Sequence, residues 1–354
     1  MFFINAHKND ESGAQSRNEP RLLTYNFFMR PPLIKNNFSD YKEFRLEYFI
    51  RNVLKEYDII CLEEMFQFGS SRRTRLLEAA RKEGFNYSLT SPCNTVFNLA
   101  IDGGLVMLSR FPIKERDILI YPSGVHSDRF SDKGALYAKI ELAQNDVIHL
   151  FMTHTQASYV SAPPLTDKSV LVRQEQLSLL RKFIDKCTLN ALPEELIILV
   201  GDLNVNSRPQ PDSSNVNGDT DEYLNMIKIL SGEGIEANQI DASASPDKRI
   251  YNSSKIVSVK DVLKERYEHH PITFGDVIVA DDGTVSPRET VLTGKDDLLA
   301  QASLDYVFLI GADQSKKRVT IDIQRTHVEE FFVSDASVTQ LSDHYGVSTC
   351  LISS

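Results

Sequence analysis

Short apolar segments that stop abruptly at polar residues restrict the fold of this chain more than any other feature. ELIILVGDLN (195–204) is the clearest example, because its apolar run ends directly in Gly-Asp-Leu-Asn. DIICL (58–62) likewise runs straight into a pair of glutamates. Apolar runs of about four to eight residues bounded by polar ones are typical of buried strands. We therefore predict several buried strands whose ends carry polar side chains.

Strand-like segments alternate along the chain with amphipathic segments of helical periodicity. Residues 135–142 and 147–155 flank a short turn at 144–146 and predict an antiparallel pair. Asp40 is predicted to cap the first helix, whose apolar stripe includes Phe44. The predicted strands are 21–27, 58–62, 103–109, 135–142, 147–155, 195–204, 303–310, 319–323 and 345–352, and the predicted helices are 41–56, 72–84 and 166–187. Hairpins together with separate helices indicate an α/β fold of two packed β-sheets flanked by helices.

Composition places the chain among ordinary globular proteins. Its 354 residues are 42% hydrophobic, which is enough to fill a sizeable core. The formal net charge of −10 argues against a broad basic face for nucleic acid. No composition shift marks a boundary, so we expect a flexible polar leader over 1–19 and one domain over 20–354. Within it, 205–221 is predicted to be a mobile loop and 281–300 a polar excursion.

Targeting signals and cysteine pairs are absent from the sequence pattern. The four cysteines are scattered without metal-ligand spacing, and we interpret all of them as reduced thiols. The apolar run at the N-terminus is too short for a signal peptide. No segment approaches the roughly 20 apolar residues of a membrane-spanning helix. We expect a monomer that is cytoplasmic or peripherally associated with a membrane.

The polar residues at the strand ends form an ordered set. They are Asn26, Glu63, Glu64, His154, Asp202, Asn204, Asp305, Asp343 and His344. Residues at strand ends share one rim if their strands are neighbours. A rim of carboxylates, amides and imidazoles suits a hard cation together with acid–base chemistry.

Most members of this set also have an ordinary structural interpretation. Asn26 is a common turn former, and His154 is compatible with a hydrogen-bonded histidine of no special role. Asp343-His344 is equally compatible with a simple turn. Asp202 and Asn204 are more informative, because strand alternation sends both side chains to one side. Asp305 lies within an apolar strand, where a carboxylate is costly to bury without a partner such as histidine.

The motifs in their order resemble a known superfamily. They are Thr24-Tyr25-Asn26, Leu62-Glu63-Glu64, Gly103-Gly104, Leu108-Ser109-Arg110, Thr153-His154-Thr155, Gly201-Asp202-Leu203-Asn204, Leu304-Asp305-Tyr306 and Ser342-Asp343-His344-Tyr345-Gly346. This order resembles the endonuclease/exonuclease/phosphatase superfamily over residues 20–353. Within it, GGLVMLSRFPI, KGALYAKI, THTQAS and SDHYGV are most similar to the neutral sphingomyelinases.

The resemblance implies a four-layer α/β sandwich of the DNase I-like type and Mg²⁺-dependent hydrolysis of a phosphodiester, with Mn²⁺ or Co²⁺ as substitutes. The resemblance implies that Glu64 and Asn26 are metal ligands, with Asp343 beside the metal. It implies that His344 is the general base and that Asp305 orients its ring. Asp202 and Asn204 would position water, phosphate or a second metal, and His154 would contact the phosphoryl group or the leaving group. The segment 20–354 is then a catalytic domain of this type.

Three features depart from the family pattern or stay open. Glu63 stands where the family often has Gln, which leaves open whether it shares the metal role of Glu64. Asp128 and Lys133 resemble a substrate-binding acid–lysine pair, but a solvated loop explains them equally well. The apolar residues around Pro31-Pro32 (Phe27, Phe28, Met29, Leu33 and Ile34) are interpreted either as a membrane-touching loop or as packing.

Several substrates are compatible with this scaffold. We favour a phospholipid at a membrane surface, cleaved as by a phospholipase C, with sphingomyelin as the first candidate. The alternatives are a nuclease, against which the net charge argues, an inositol-polyphosphate phosphatase, and a non-catalytic binding module with a decayed site.

Overall fold

Two six-stranded mixed β-sheets form the centre of the protein. The computed structural model describes residues 19–92, 101–209, 218–245, 247–311, 314–334 and 336–353. The predicted leader, except Glu19, and the central part of the predicted loop 205–221 lie outside the described residues, as does Cys93. The strands are β1 (Arg21–Met29), β2 (Ile59–Met65), β3 (Tyr87–Thr90), β4 (Val106–Ser109), β5 (Ile113–Ile120), β6 (Gly134–Ala143), β7 (Asp146–His154), β8 (Leu196–Asp202), β9 (Ile235–Glu236), β10 (Arg249–Ile250), β11 (Val259–Asp261), β12 (Phe274–Gly275), β13 (Val277–Val279), β14 (Val285–Pro287), β15 (Gln301–Ala302), β16 (Asp305–Ile310), β17 (Val319–Glu329) and β18 (Gly346–Ser353).

Five α-helices accompany the strands in the part of the chain that the structure describes. They are α1 (Lys42–Tyr48), α2 (Arg72–Lys82), α3 (Lys168–Cys187), α4 (Asp221–Ser231) and α5 (Val262–Tyr267). A π-helical turn (Phe49–Val53) and a 3₁₀ turn (Leu54–Glu56) continue α1. The long helix α3 starts where the Asp167 side chain accepts a hydrogen bond from the Ser169 amide, which satisfies a free N–H of its first turn.

Each large sheet has one parallel pair near its centre. The first sheet has the order β17-β18-β1-β2-β4-β3, and the second has the order β11-β16-β8-β7-β6-β5. Strands β1 and β2 are parallel, and so are β7 and β8, whereas the other pairs in both sheets are antiparallel. The predicted hairpin is β6–β7, with Asn145 in the left-handed region at φ 69°.

Among the described residues, three large apolar cores hold four layers together. Between the sheets, residues such as Ile59 and Cys61 of β2 are buried with Leu150 of β7 and Val200 of β8. The outer face of the second sheet packs on α3 and α4, and that of the first sheet on α1, its π-helical turn and α2. The helix–sheet–sheet–helix order confirms the predicted α/β sandwich.

The sequence patterns failed where packing was decided by distant contacts. Asp40 is not a helix cap as predicted, because its carboxylate pairs with Lys42 and Tyr41 occupies the cap position without a side-chain hydrogen bond. Phe44 is 41% exposed instead of inward-facing. Strand β5 was missed because it lies at a sheet edge and lacks an uninterrupted apolar run. The polar excursion 281–300 contains β14, paired with β13.

Within the described residues, no helix is both long enough and apolar enough to cross a membrane.

Candidate active site

Strand topology brings the polar strand ends to one rim of the two sheets. The carboxyl ends of parallel neighbours emerge on the same side, so Asn26 of β1 lies beside the β2 residues Glu63 and Glu64. In the second sheet, His154 of β7 is paired with Asp202 of β8 for the same reason. The predicted rim is therefore produced by two parallel pairs.

The antiparallel neighbours complete the rim with their amino ends. Strand β16 runs against β8, and its first residue Asp305 is paired with Asp202. Strand β18 runs against β1, and Val347 is paired with Thr24. His344 precedes that strand, which places it at the level of Asn26.

A hydrogen bond across the two sheets joins the halves of the site. Asn26 Nδ2 donates to Asp202 Oδ2 at 2.9 Å and lies 3.4 Å from Glu64 Oε1. The same nitrogen is 3.5 Å from Nε2 of His344. Asn26, Asp202 and His344 are all buried. The structure thus brings together residues that are more than 170 positions apart in the chain.

His344 and Asp305 form a buried imidazole–carboxylate pair. The Nδ1 atom of His344 lies 2.9 Å from Oδ2 of Asp305, and its Nε2 is 3.8 Å from Oδ2 of Asp202. Burial opposes the charged ring, but Asp305 and Asp202 outweigh it and raise the pKa of His344 to about 10. Burial raises the pKa of Asp305 to about 6 although His344 acts to lower it. The ring therefore holds the shared proton at neutral pH in the cation-free protein.

The pKa values of the two other aspartates of the rim, Asp202 and Asp343, shift in opposite directions. Burial acts to raise the pKa of Asp202, but His344 and His154 outweigh it and hold that pKa below its usual value. Burial raises the pKa of Asp343 to about 7. Asp202 is also held geometrically, since its Oδ1 accepts a hydrogen bond of 2.9 Å from the Asn204 amide. The two histidines therefore favour the ionised form of the Asp202 carboxylate.

Lys133 and Asp128 lie inside the site's hydrogen-bond network and are not a solvated loop. Lys133 is buried and donates to Nε2 of His154 at 3.0 Å and to the carbonyl of Thr155 at 2.7 Å. Its ammonium group pairs with Asp128 Oδ2 at 2.9 Å. Burial, and after it the charge of Lys133, lowers the pKa of His154 to about 3. His154 is thus a neutral ring next to a lysine cation.

The two adjacent glutamates point into different surroundings. Glu63 is fully buried and accepts a hydrogen bond of 3.1 Å from Thr24. Burial raises its pKa well above the usual range, which favours the neutral acid. Glu64 has a left-handed backbone (φ 55°) and lies against Gly104, where an added Cβ would be 3.1 Å from the Glu64 Cα. Gly104 thus leaves room for the backbone turn that directs Glu64 to the rim.

Oxygen ligands for a hard cation are present at this rim. Glu64 Oε2 is buried, yet it has no hydrogen-bond partner among the described residues, and the same holds for Asp305 Oδ1. Ligand atoms of Asp202, Asp305 and His344 all lie within 4.8 Å of one another. Carboxylate oxygens are preferred ligands of Mg²⁺, whereas the amide oxygen of Asn26 accepts a hydrogen bond of 3.1 Å from the Phe28 amide. The carboxylates of this rim therefore fit a magnesium ion.

Two supporting residues were missed by sequence reasoning. The ring of Phe274 lies 4.8 Å from that of His344, and Thr273 Oγ1 accepts hydrogen bonds from the amides of Leu304 and Asp305. Thr273 precedes the two-residue strand β12, and Phe274 begins it. So short a strand has no recognisable sequence pattern. Only the tertiary fold identifies them.

Comparisons with known proteins identify the family. The model of the Endonuclease/Exonuclease/phosphatase family matches residues 46–309, well over half of the chain. A sphingomyelinase of Dictyostelium discoideum is 35% identical over 367 aligned residues, which cover 90% of this chain and 76% of that protein.

Solved structures agree on the fold. Beta toxin of Staphylococcus aureus has a TM-score of 0.57 at 21% identity, with 93% of this chain and 99% of the toxin covered. A variant of the toxin crystallised with bound magnesium ions has a TM-score of 0.52 at 20% identity, covering 94% and 99%. TDP2 of Danio rerio in complex with a single-stranded DNA product has a TM-score of 0.54 at 15% identity, covering 95% and 99%. At such identities the likeness establishes the fold and does not select a substrate.

The family match and the Dictyostelium relative confirm the resemblance that the sequence motifs indicated, including its similarity to sphingomyelinases. On this evidence the chain belongs to the endonuclease/exonuclease/phosphatase family.

Proposed function

We propose that this protein is a Mg²⁺-dependent phosphodiesterase that hydrolyses sphingomyelin or a related phospholipid and releases the phosphorylated headgroup. The observation that carries the proposal is the contact of the His344–Asp305 pair with the carboxylate of Asp202 and the amide of Asn26. This contact supports the proposal, because a histidine that would act as the base lies next to groups suited to a cation. The sphingomyelinase name of the Dictyostelium relative supports the lipid substrate.

Glu64 and Asn26 would hold the magnesium ion. Bound Mg²⁺ would neutralise the phosphodiester oxygens, stabilise the charge that develops on them, and lower the pKa of His344 by its positive charge. Mg²⁺ commonly takes only one or two carboxylates from the protein. A single glutamate with an asparagine therefore suffices.

His344 would accept the proton of the attacking water at Nε2. Asp305 bonds to Nδ1, and this keeps the ring proton on Nδ1 and leaves Nε2 free in the neutral ring. The water oxygen would bond to phosphorus while the bond from phosphorus to the lipid oxygen breaks, and the lipid oxygen would take a proton from solvent and leave as an alcohol. Asp305 is a positioning residue in this scheme, because it acts through His344.

Lys133, Asn204 and His154 would surround the phosphoryl oxygens, with Lys133 acting through its charge because its three N–H groups already have partners. Lys133 is buried and provides a positive charge in a site otherwise rich in carboxylates. Asn204 has its side-chain amide tied to the Thr155 carbonyl at 3.1 Å, so its position is defined before substrate binds. Fixed donors of this kind stabilise developing charge without reorganisation. We assign His154 to the same phosphoryl contact or to the leaving group.

Release of phosphocholine from sphingomyelin in mixed micelles tests this function. We expect release with Mg²⁺, none with EDTA, and a loss of about 100-fold or more in His344→Ala, as for removal of a general base. His149→Ala is the matched control. His149 lies on β7, is buried like His344, and has a carboxylate, that of Glu195, at 2.8 Å. Release that survives EDTA or His344→Ala contradicts the mechanism. Hydrolysis of nucleic acid or inositol phosphates in its place contradicts the substrate.

A further inference from the structure

Apolar side chains project into solvent immediately beyond the central strands of the site. Leu33 is 95% exposed and Phe38 is 91% exposed in the segment that follows β1. Phe68, in the segment that follows β2, is 60% exposed. With Ile34, also exposed, they form what we call the rim patch. Large apolar side chains in one exposed patch mark interaction surfaces.

The two segments of the rim patch touch each other next to the metal-binding residues. Strands β1 and β2 are parallel, so the residues that follow them leave from the same rim as Asn26 and Glu64. Gly69 lies against Pro32, since an added Cβ at Gly69 would be 3.3 Å from the Pro32 ring. The patch therefore borders the site, and the packing alternative holds only for Phe27, Phe28 and Met29, which are buried.

Hydrogen bonds hold the first segment in its exposed position. Asn36 Nδ2 donates to the carbonyl of Leu292 at 2.8 Å, and Asn37 Nδ2 donates to the carbonyls of Val291 and Thr293 at 2.8 and 2.9 Å. The accepting segment is itself fixed, because Glu289 accepts from the amides of Leu292 and Thr293 at 2.8 and 2.7 Å. A tethered backbone keeps Leu33 and Phe38 from folding back onto the protein.

Charge around the rim patch differs from that of the whole chain. Residues 30–39 contain Arg30 and Lys35 and no acidic residue, and residues 65–71 contain no charged residue. The chain as a whole has a formal net charge of −10. A bilayer of phosphatidylcholine and sphingomyelin carries no net charge, so its phosphate groups meet apolar and cationic side chains here without an opposing carboxylate from these two segments.

We propose that the rim patch is the surface by which the protein docks on a phospholipid bilayer, with Leu33 and Phe38 inserted between headgroups and Lys35 near the lipid phosphates. This inference rests on the proposed function, because docking through the rim patch would deliver lipid to the site that the patch borders. A rigid loop loses little conformational entropy on insertion, which favours docking.

Sedimentation with vesicles of phosphatidylcholine and sphingomyelin in EDTA tests the proposal. We expect Leu33→Ser/Phe38→Ser to partition at least tenfold more weakly than the wild type, because two apolar side chains no longer leave water. Tenfold corresponds to about 1.4 kcal/mol. The control is Leu189→Ser, which removes an 81% exposed leucine that precedes β8 and so lies at the end of that strand opposite to Asp202.

A water-soluble diester, p-nitrophenyl phosphocholine, separates docking from chemistry. We expect the double variant to hydrolyse it like the wild type in Mg²⁺ while losing activity on vesicles. Equal sedimentation of variant and wild type refutes docking, as does a wild-type dimer that the double variant converts to a monomer. A wild type that binds vesicles through the patch but hydrolyses neither substrate supports docking and refutes the proposed function.

Discussion

Replacement of Asp305 by asparagine isolates the orientation of His344 from the rest of the site. The carboxylate bonds to Nδ1 of His344 at 2.9 Å, and both residues are buried. Asparagine has the same size but no charge, so the carboxylate that holds the ring proton on Nδ1 is lost. The tautomer with the proton on Nε2 cannot accept a proton from water. Asp305→Asn should therefore lower kcat.

The size of the effect follows from the interaction removed. A hydrogen bond to a charged group contributes about 1.5–3 kcal/mol, and each 1.4 kcal/mol or so is tenfold in rate. We expect kcat on the soluble diester to fall by roughly 100-fold, below the ceiling of about 10⁴-fold for the loss of a general base. The pKa of His344, measured by NMR titration in EDTA, should fall as well, since Asp305 acts to raise it.

Glu195→Gln is the matched control for this experiment. Glu195 accepts from another buried histidine, His149, at 2.8 Å at the start of β8, far along the strand from Asp202. It should alter stability but not kcat. If Asp305→Asn keeps kcat within threefold of the wild type with Mg²⁺ saturating, or leaves the His344 titration unmoved, the assigned positioning role is refuted.

Two further predictions concern stability. In EDTA, the free energy of unfolding should fall between pH 6.5 and 10 by at most about 1.4 kcal/mol per pH unit, because folded His344, with its pKa raised to about 10, holds a proton that the unfolded chain has released. Denaturant unfolding across this pH range should show a flatter pH dependence for His344→Gln. An unchanged slope in this variant would contradict the prediction. Arg45→Met should lower the free energy of unfolding by about 3 kcal/mol or more, because the fully buried guanidinium donates to the carbonyls of Asp40, Phe27, Phe28 and Leu341 and each buried acceptor left unpaired costs about 1–3 kcal/mol. A loss below about 1 kcal/mol in urea unfolding would show that water or neighbouring groups replace these bonds.

The sequence by itself determined the buried strands and their polar ends. Strands β1, β2, β7, β8, β16 and β18 contain apolar runs whose burial depends little on which partner covers them. Their terminal residues stand out because carboxylates and imidazoles are costly next to a core. The family motifs added the order Asn26, Glu64, His154, Asp202 and His344 as a prediction, and the family to which they pointed is confirmed.

Tertiary structure decided which of these residues meet and what surrounds them. The contact of Asn26 with Asp202 joins two sheets, and the sequence pattern of one strand carries no information about the strand facing it. The burial of Lys133 and of Glu63 depends likewise on packing between distant segments. Leu33 and Phe27 are both apolar, yet one is exposed and the other buried, because the hydrogen bonds of Asn36 and Asn37 to a loop some 250 residues away hold the backbone outward. Apolar side chains specify burial only where the backbone can reach the core.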